Sequence, residues 1–324
     1  MQTAHVIGLD ISKKTFDVCT IFDGKMKIHS FYNNKAGYEA FVLWIKKFDL
    51  INPHICMEAT GSYSEGVAEF LYSFGYKVSI INPLQIKSFR LSKMIRQKTD
   101  KSDCEVIAMF CLQNCPSLWN PKSREKKELH EINARIDALK MELNRIINFL
   151  EKELLNKIVI RSIKEEMQFT KDMIEKLEHE ALNIIKNSPV MKKQFDHLTE
   201  IKGVGIKTAV TILADMPDIN HFKNAKQYAA FVGVTPSHLQ SGTSVKGKSH
   251  ISRLGSKKIR KTLYMAAVVI KNHNPHFQFL VKRLASKGKP PKVIIVAIMR
   301  KLLHIFFGIL KYNESFNQYK AFQP

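Results

Sequence analysis

Residues 219–313 contain no aspartate and no glutamate, although lysine and arginine recur throughout them. Residues 77–98 are a second stretch without an acid. Ordinary surfaces mix the two signs, so both blocks read as binding faces rather than as merely solvated surface. Residues 122–187 lack glycine and proline altogether, which removes the usual breakers of helices. Cysteine is scarce: Cys19, Cys56, Cys104, Cys111 and Cys115. Their number is odd and no CxxC or Cys/His ligand spacing appears, so reduced thiols and no zinc site are expected. The opening "MQTAHVIGLD" lacks the pattern of a secretory leader, which points to the cytoplasm. The most apolar late run, "VIIVAIMRKLLHIFFGIL", is broken by Arg300, Lys301 and His304. A buried helix is therefore expected there, and no membrane span. There is no internal repeat and no low-complexity tract.

What the chain has in excess is positive charge. Its 51 Lys and Arg stand against 29 Asp and Glu, a formal charge of +22. A surplus of that size favours a polyanionic partner, nucleic acid before acidic lipid. With 324 residues, 45% of them hydrophobic, the chain is long enough for two domains with cores of their own.

Three regions separate by pattern. Residues 1–121 alternate strand and helix. "HVIGLDIS", "TFDVCTIFDG" and "KMKIHSFYNN" read as strands, with Asp23-Gly24 as a hairpin signal. "KAGYEAFVLWIKKF" has helical spacing, "HICMEAT" is a fourth strand and "SYSEGVAEFLYSFG" a helix closed by Gly75. "KVSIIN" is a fifth strand, and a helix begins at "DKSDCEVIAMFCLQ". Three hairpin strands, a helix, then strand–helix–strand is the order of a ribonuclease-H-like sheet. Residues 122–187 set Leu129, Ile132, Ile136, Leu139 and Leu143 at three- and four-residue steps, a coiled-coil seam that resumes after a polar break near Arg161. Residues 188–324 regain glycine and proline and read as mainly helical, with two long apolar helices at the end. The expected class is α/β plus α.

Four carboxylates of the first region stand out. Asp10 ends the first strand in "VIGLDIS", and Glu58 ends the fourth in "ICMEATGS". Asp100 and Asp103 lie three residues apart in "QKTDKSDCEVIA", so one helical turn presents both on one side. Each has a plainer explanation as a turn former or helix cap. Together they suit convergence at one edge of such a sheet. Packed carboxylates repel unless a cation joins them, and two Mg²⁺ ions are the usual device for an in-line phosphoryl displacement. Lys87, Arg90, Lys93, Arg96 and Lys98, just before Asp100, would hold a phosphate backbone against them. An actin-like ATPase also opens with a strand and an aspartate, but no second phosphate loop or paired-glycine adenosine motif follows.

Two features of the last region carry chemistry. "IKGVGIK" resembles a helix–hairpin–helix turn, in which Gly203 and Gly205 admit a phosphate and Lys207 adds charge; a plain turn between helices reads equally well. The stretch "QSGTSVKGKSHISRLGSKKIRK" has the composition of a linker, yet Ser241 precedes Gly242 amid Lys246, Lys248, Arg253, Lys257, Lys258 and Arg260. A serine attacking a phosphodiester needs cations around the phosphate rather than an Asp-His pair. His238 and His250 are candidate proton carriers. By chemistry alone Ser237, Ser244, Ser249 and Ser252 remain in contention with Ser241.

These residues match a family. "GLDISKKTFDV", "MEATGSY", "KTDKSDCEVIA", "IKGVGIKTA", "FVGVTPSHLQSGTS" and "ISRLGSKKIRKTLYMAA" occur in the order seen in the DEDD transposases of bacterial insertion sequences. The chain resembles these enzymes, relatives of the Piv-type DNA invertases now called RNA-guided bridge recombinases, over nearly its whole length. The resemblance implies a RuvC-like domain with Asp10, Glu58, Asp100 and Asp103 as the metal-binding set, and Mg²⁺ as cofactor, two ions per site. It implies Ser241 as a nucleophile that forms a phosphoserine link to DNA. It also implies a composite site between subunits of a dimer or tetramer joined through the coiled coil. The implied partners are donor and target DNA and a structured non-coding RNA that chooses both sites, at the bacterial nucleoid. Beyond "QSG" the loop departs from the family's usual form and offers Ser244 as a neighbour. A metal-dependent RuvC-like nuclease without a covalent intermediate is the alternative; a non-catalytic nucleic-acid scaffold is the third.

Overall fold

The computed structural model describes residues 5–22, 25–95, 100–152, 155–237, 240–241, 245–246, 250–252 and 254–317. The chain divides into two compact units, Met1–Pro121 and Lys122–Pro324.

The first unit runs β1 (Val6–Ile11), β2 (Thr15–Phe22), β3 (Lys25–Tyr32), α1 (Lys35–Lys47), β4 (His54–Glu58), α2 (Ser62–Ser73), β5 (Lys77–Ile81), α3 (Pro83–Ser92) and α4 (Asp100–Asn114). The strands form one sheet in the order β3-β2-β1-β4-β5. The pairs β1–β2 and β2–β3 are antiparallel, β1–β4 and β4–β5 parallel. This mixed sheet is consistent with the ribonuclease-H-like expectation. The turn at Asp23-Gly24 lies outside the described residues.

Period-two alternation decides what each strand face meets. Ile7, Leu9, Ile55 and Met57 point to one side and pack on Phe41, Ile45, Val67 and Leu71 of α1 and α2. Val6 and Cys56 point to the other side, under Val106, Ile107 and Cys111 of α4. Asp10 and Glu58 fall in the second register and share the face that α4 covers. Helix α3 was not foreseen, although Asn82-Pro83 is a start signal: the Asn82 side chain accepts from the Leu84 N–H at 2.9 Å, and Pro83 takes the first helical position.

The second unit contains α5 (Arg124–Leu150), α6 (Lys157–Asn187), α7 (Pro189–Thr199), α8 (Ile206–Asp215) and α9 (Ala225–Val232). Four two-residue strands follow: β6 (Pro236–Ser237), β7 (Gln240–Ser241), β8 (Val245–Lys246) and β9 (His250–Ile251). Helices α10 (Lys257–His273), α11 (Gln278–Ser286) and α12 (Pro291–Tyr312) close it. Helices α5 and α6 pack through Ile136, Leu139 and Ile174, and their bases join the large core at Leu129, Ala181 and Ile185. The polar break expected near Arg161 sits earlier: α6 begins at Lys157, capped by Asn156, and runs through Arg161 without interruption. The ending also differs, with a short third helix, α11, between the two long ones, because Asn274-Pro275 and Pro290-Pro291 restart the chain. Helix α12 is long and apolar enough to cross a membrane by length and composition. Its buried Ile298, Leu302, Leu303 and Phe306 nevertheless belong to the core of this unit, so core packing accounts for its composition.

A polar knot holds α5 against α8 and α10. Asp215, 7% exposed at its side chain, accepts from His130 Nδ1 at 2.7 Å and Asn133 Nδ2 at 3.0 Å, and pairs with Lys258 Nζ at 2.9 Å. Lys258 also reaches Asp137 at 3.0 Å, and Lys207 reaches Asp137 at 3.6 Å. Burial raises the Asp215 pKa, but the hydrogen bonds and charges of His130 and Lys258 prevail and hold the carboxyl below its ordinary range. A folded-state pKa below the unfolded one contributes stability above the usual carboxylate range, and that contribution is lost as pH falls through the folded value. Asp215→Asn should therefore cost about 2 kcal/mol at neutral pH. In thermal melts across an acid titration, its deficit should shrink as pH drops.

Candidate active site

Asp10 is the last residue but one of β1, and Glu58 is the last residue of β4, its neighbour in the sheet. Asp103 lies one helical turn into α4. These three half-buried carboxylates line one cavity of 1020 Å³, with Lys87, Arg90 and Met94 from α3 and the segment after it. Asp100 is the first residue of α4; its side chain lies outside the described part of the structure.

The approach of α4 to β1 depends on Gly8. A Cβ there would overlap the Cys104 carbonyl and the Ala108 amide nitrogen, both backbone atoms of α4. With hydrogen in that place the helix lies directly on the strand, and Asp103 reaches the strand end that carries Asp10. Arg90 Nη2 donates to Asp103 Oδ1, with both side chains more than four-fifths enclosed (16% and 18% exposed). The guanidinium offsets part of the repulsion among the acids.

The rim is stapled by a residue that sequence reasoning missed. Asn33 Nδ2 donates to the Ser12 carbonyl at 2.9 Å and to the Tyr63 carbonyl at 3.1 Å, and its Oδ1 accepts from Tyr38 at 2.6 Å. It thus ties the turn after Asp10 to the start of α2, just beyond Glu58. Nothing in its local sequence marks this role, because the two segments it joins are reached through backbone carbonyls 21 and 30 residues away.

The expected phosphate-holding cations separate by placement. Lys87 and Arg90 line the acidic cavity. Lys93 sits at the end of α3 with Nζ 5.5 Å from the Phe89 ring centroid. Arg96 and Lys98 lie outside the described residues. In the second unit Lys258 is engaged by Asp215 and Asp137, and Arg260 Nη1 donates to the Val232 carbonyl at 2.9 Å. Both are tied to internal partners, whereas Lys257 is exposed on the first turn of α10. Gly203 has φ +104 and packs on Ile270, where a Cβ would collide; Gly205 is exposed and open at the start of α8, beside Lys207. The turn thus presents its Gly205 side outward.

The serine stretch is a hairpin rather than a bare loop. Pro236 and Ser237 pair with Ile251 and His250, and inside them Gln240 and Ser241 pair with Lys246 and Val245. Its root is held by α9 and α10: Gly233 (φ +82) faces the Leu254 carbonyl and Arg260, and Gly255 (φ +131) faces Val232. Ser252 is occupied locally, its Oγ accepting from the Leu254 N–H at 3.2 Å. His238, Gly242, Ser244, Lys248, Ser249 and Arg253 lie outside the described residues, and for Ser237, Ser241, Lys246 and His250 only the backbone is described.

A further basic cluster was legible only as an acid-free stretch. Burial and then Arg283 lower the Lys301 pKa, and burial followed by Arg300, Lys301 and Lys226 lowers that of His304. Like charges gathered this way on α9, α11 and α12 suit a polyanion.

One expectation is overturned. Of the five cysteines expected as thiols, Cys56 and Cys111 are joined as a disulfide, and His54 lies beside them with a ligand atom within 4.8 Å of both sulfurs. Spacing could not reveal the trio, because β4 and α4 meet only in three dimensions. The carboxylates Asp10, Glu58 and Asp103 form no such tight group among the described residues; they spread around the larger cavity.

Two stretches of the chain match known families. Residues 7–160 match the profile of the DEDD transposases of the IS110 type, described as "Transposase", and residues 196–282 match "Transposase IS116/IS110/IS902 family". The chain is 36% identical over 315 residues to the pilin gene-inverting protein of Moraxella bovis, covering 96% of this chain and 97% of that one. The protein of the same name from Moraxella lacunata is equally similar, 36% over 315 residues with the same coverage. The transposase for insertion sequence element IS1111A of Coxiella burnetii is 23% identical over 351 residues, covering 98% and 92%.

The Gly8 contact is directly testable. Gly8→Ala should lower stability by about 2 kcal/mol or more, since the added methyl meets backbone that cannot rotate away. Gly205→Ala, whose methyl would meet nothing within 4 Å, should leave the melting temperature nearly unchanged in the same assay.

Proposed function

Because the chain belongs to the IS110-type family of DEDD transposases, an enzyme family of DNA strand transfer, we propose that it cleaves and rejoins DNA with a serine nucleophile and a RuvC-like carboxylate site. The observation that carries this is the convergence of Asp10, Glu58 and Asp103 on one cavity walled by Lys87 and Arg90. Oxygen donors of this kind fit a hard divalent cation such as Mg²⁺. Asp10, Glu58 and Asp103 would hold it with Asp100, and it would supply Lewis-acid stabilisation of the oxygens in an in-line displacement.

The protein's own groups do the rest. Lys87 and Arg90 hold and orient the phosphate at the cavity mouth. Ser241 Oγ attacks phosphorus; its bond to phosphorus forms as a strand P–O bond breaks, and the hydroxyl proton is balanced by protonation of the leaving oxygen. Strand transfer then reverses this step onto a new DNA end. Close packing at the hairpin's root, by Gly233 and Gly255, favours such positioning. The exposed Gly205 turn supports a helix–hairpin–helix contact to backbone phosphate, and the α5–α6 pair supports assembly of subunits through a coiled coil. The acid-free face of α11 and α12 supports binding of a structured guide RNA as well as DNA.

Covalent adducts read out the serine step. Wild-type protein incubated with cognate DNA and Mg²⁺ should yield a complex that survives denaturing gels, and Ser241→Ala should abolish it while Ser244→Ala retains it. Undiminished strand cleavage by Ser241→Ala would move the reading to a hydrolytic nuclease. Asp103→Asn should reduce cleavage at least about 100-fold with an unchanged circular dichroism spectrum; full cleavage by this variant would refute a metal site built on Asp103. Sequencing the RNA that copurifies from the native host should give one discrete species, and a featureless mixture would refute guidance.

A further inference from the structure

Cys56 of β4 and Cys111 of α4 have their Cα atoms 6.0 Å apart and close a loop of 55 residues. Both are shut away from solvent, at 0% and 1% exposure. Neither touches the phosphoryl chemistry, yet each belongs to an element of the carboxylate site. Alternation along β4 puts Cys56 on the same face as Glu58, two residues before it. Cys111 follows Asp103 on α4 by two helical turns. The pair therefore spans the seam across which those two carboxylates face each other.

Two chemistries compete for the trio His54, Cys56 and Cys111. A structural zinc site takes four ligands, and only three such donors gather here among the described residues. His54 Nε2 is moreover engaged by Ser79 Oγ at 2.8 Å, and Ser79 Oγ donates onward to the Ser117 carbonyl at 2.8 Å. A Cα separation of 6.0 Å suits a disulfide without moving either element. The neighbouring buried cysteines, Cys19 and Cys104, stand outside that disulfide in the same helix–sheet seam and serve as an internal comparison.

We propose that Cys56 and Cys111 are an oxidisable dithiol, a modification site whose disulfide clamps α4 to β4. Enclosure of both sulfurs selects a small neutral oxidant, hydrogen peroxide, over a bulky disulfide. One thiolate attacks peroxide and becomes a sulfenic acid as hydroxide leaves. The second thiol attacks that sulfur, water leaves and the S–S bond closes. Overall two thiols surrender two electrons and two protons, and peroxide becomes two waters; an external dithiol reverses the step. Oxidised, the clamp ties the helix bearing Asp103 to the strand bearing Glu58. Reduced, the same contact rests on packing alone.

Thiol mapping of the full-length chain tests this without any DNA or metal, so its failure is separate from that of the proposed function. Protein reduced with dithiothreitol, freed of it and treated with hydrogen peroxide is alkylated in denaturant and analysed by mass spectrometry. The expected product is a Cys56–Cys111 cross-linked peptide, with Cys19 and Cys104 still alkylated and dithiothreitol restoring all five thiols. Amide exchange across α4 should slow on oxidation, and the melting temperature should rise by about 3 °C or more. The rise should be absent in Cys111→Ala. Five alkylatable thiols after peroxide, a different pairing, or unchanged exchange in α4 overturns the proposal. Stoichiometric zinc retained by the reduced wild-type chain also overturns it, because the trio would then be a metal site.

Discussion

Carboxylates gather in one cavity only if something draws their backbones together against mutual repulsion. Here that is the seating of α4 on β1, where Gly8 leaves no Cβ and the helix backbone meets the strand directly. Apolar packing by Val106 and Ile107 supplies the attraction, and the Cys56–Cys111 link adds a covalent tie two residues from Glu58. The Arg90 guanidinium then sits against Asp103 and offsets charge that packing has imposed. Remove the close contact at Gly8, and the sheet edge keeps Asp10 and Glu58 but loses its partner from the helix.

The surplus of positive charge divides into two populations with different work. Some cations are structural. Lys258 is held by Asp215 and Asp137, and Arg260 is spent on the Val232 carbonyl, so both fasten α10 to its neighbours. Others gather like charge: Lys257 stands exposed on α10, and Arg283, Arg300 and Lys301 crowd one another on α11 and α12. A stretch of chain without acids still acquires anionic partners when the fold brings Asp137 and Asp215 from elsewhere. Local charge counts thus overstate how much of a basic segment is available to a polyanion.

The serine-bearing segment is tied into the fold through its described backbone. Two short ladders hold the hairpin, and its root is locked by the mutual packing of Gly233 and Gly255 between α9 and α10. Under the proposed mechanism, a backbone segment tied at its root loses less orientational freedom at the reaction step than a free tether would.

Periodicity and chain order by themselves marked the five strands of the first unit, most of the helices and the candidacy of Asp10, Glu58 and Asp103. These are local properties: alternation fixes which face a strand residue takes, and a carboxylate at a strand end is visible in its own few neighbours. Tertiary structure alone decided the rest. That α3 walls the cavity, that Asn33 staples its rim, that Arg260 turns inward and that Cys56 meets Cys111 all depend on pairs far apart in sequence. Such pairs are selected by how whole faces pack, which no short window of residues contains.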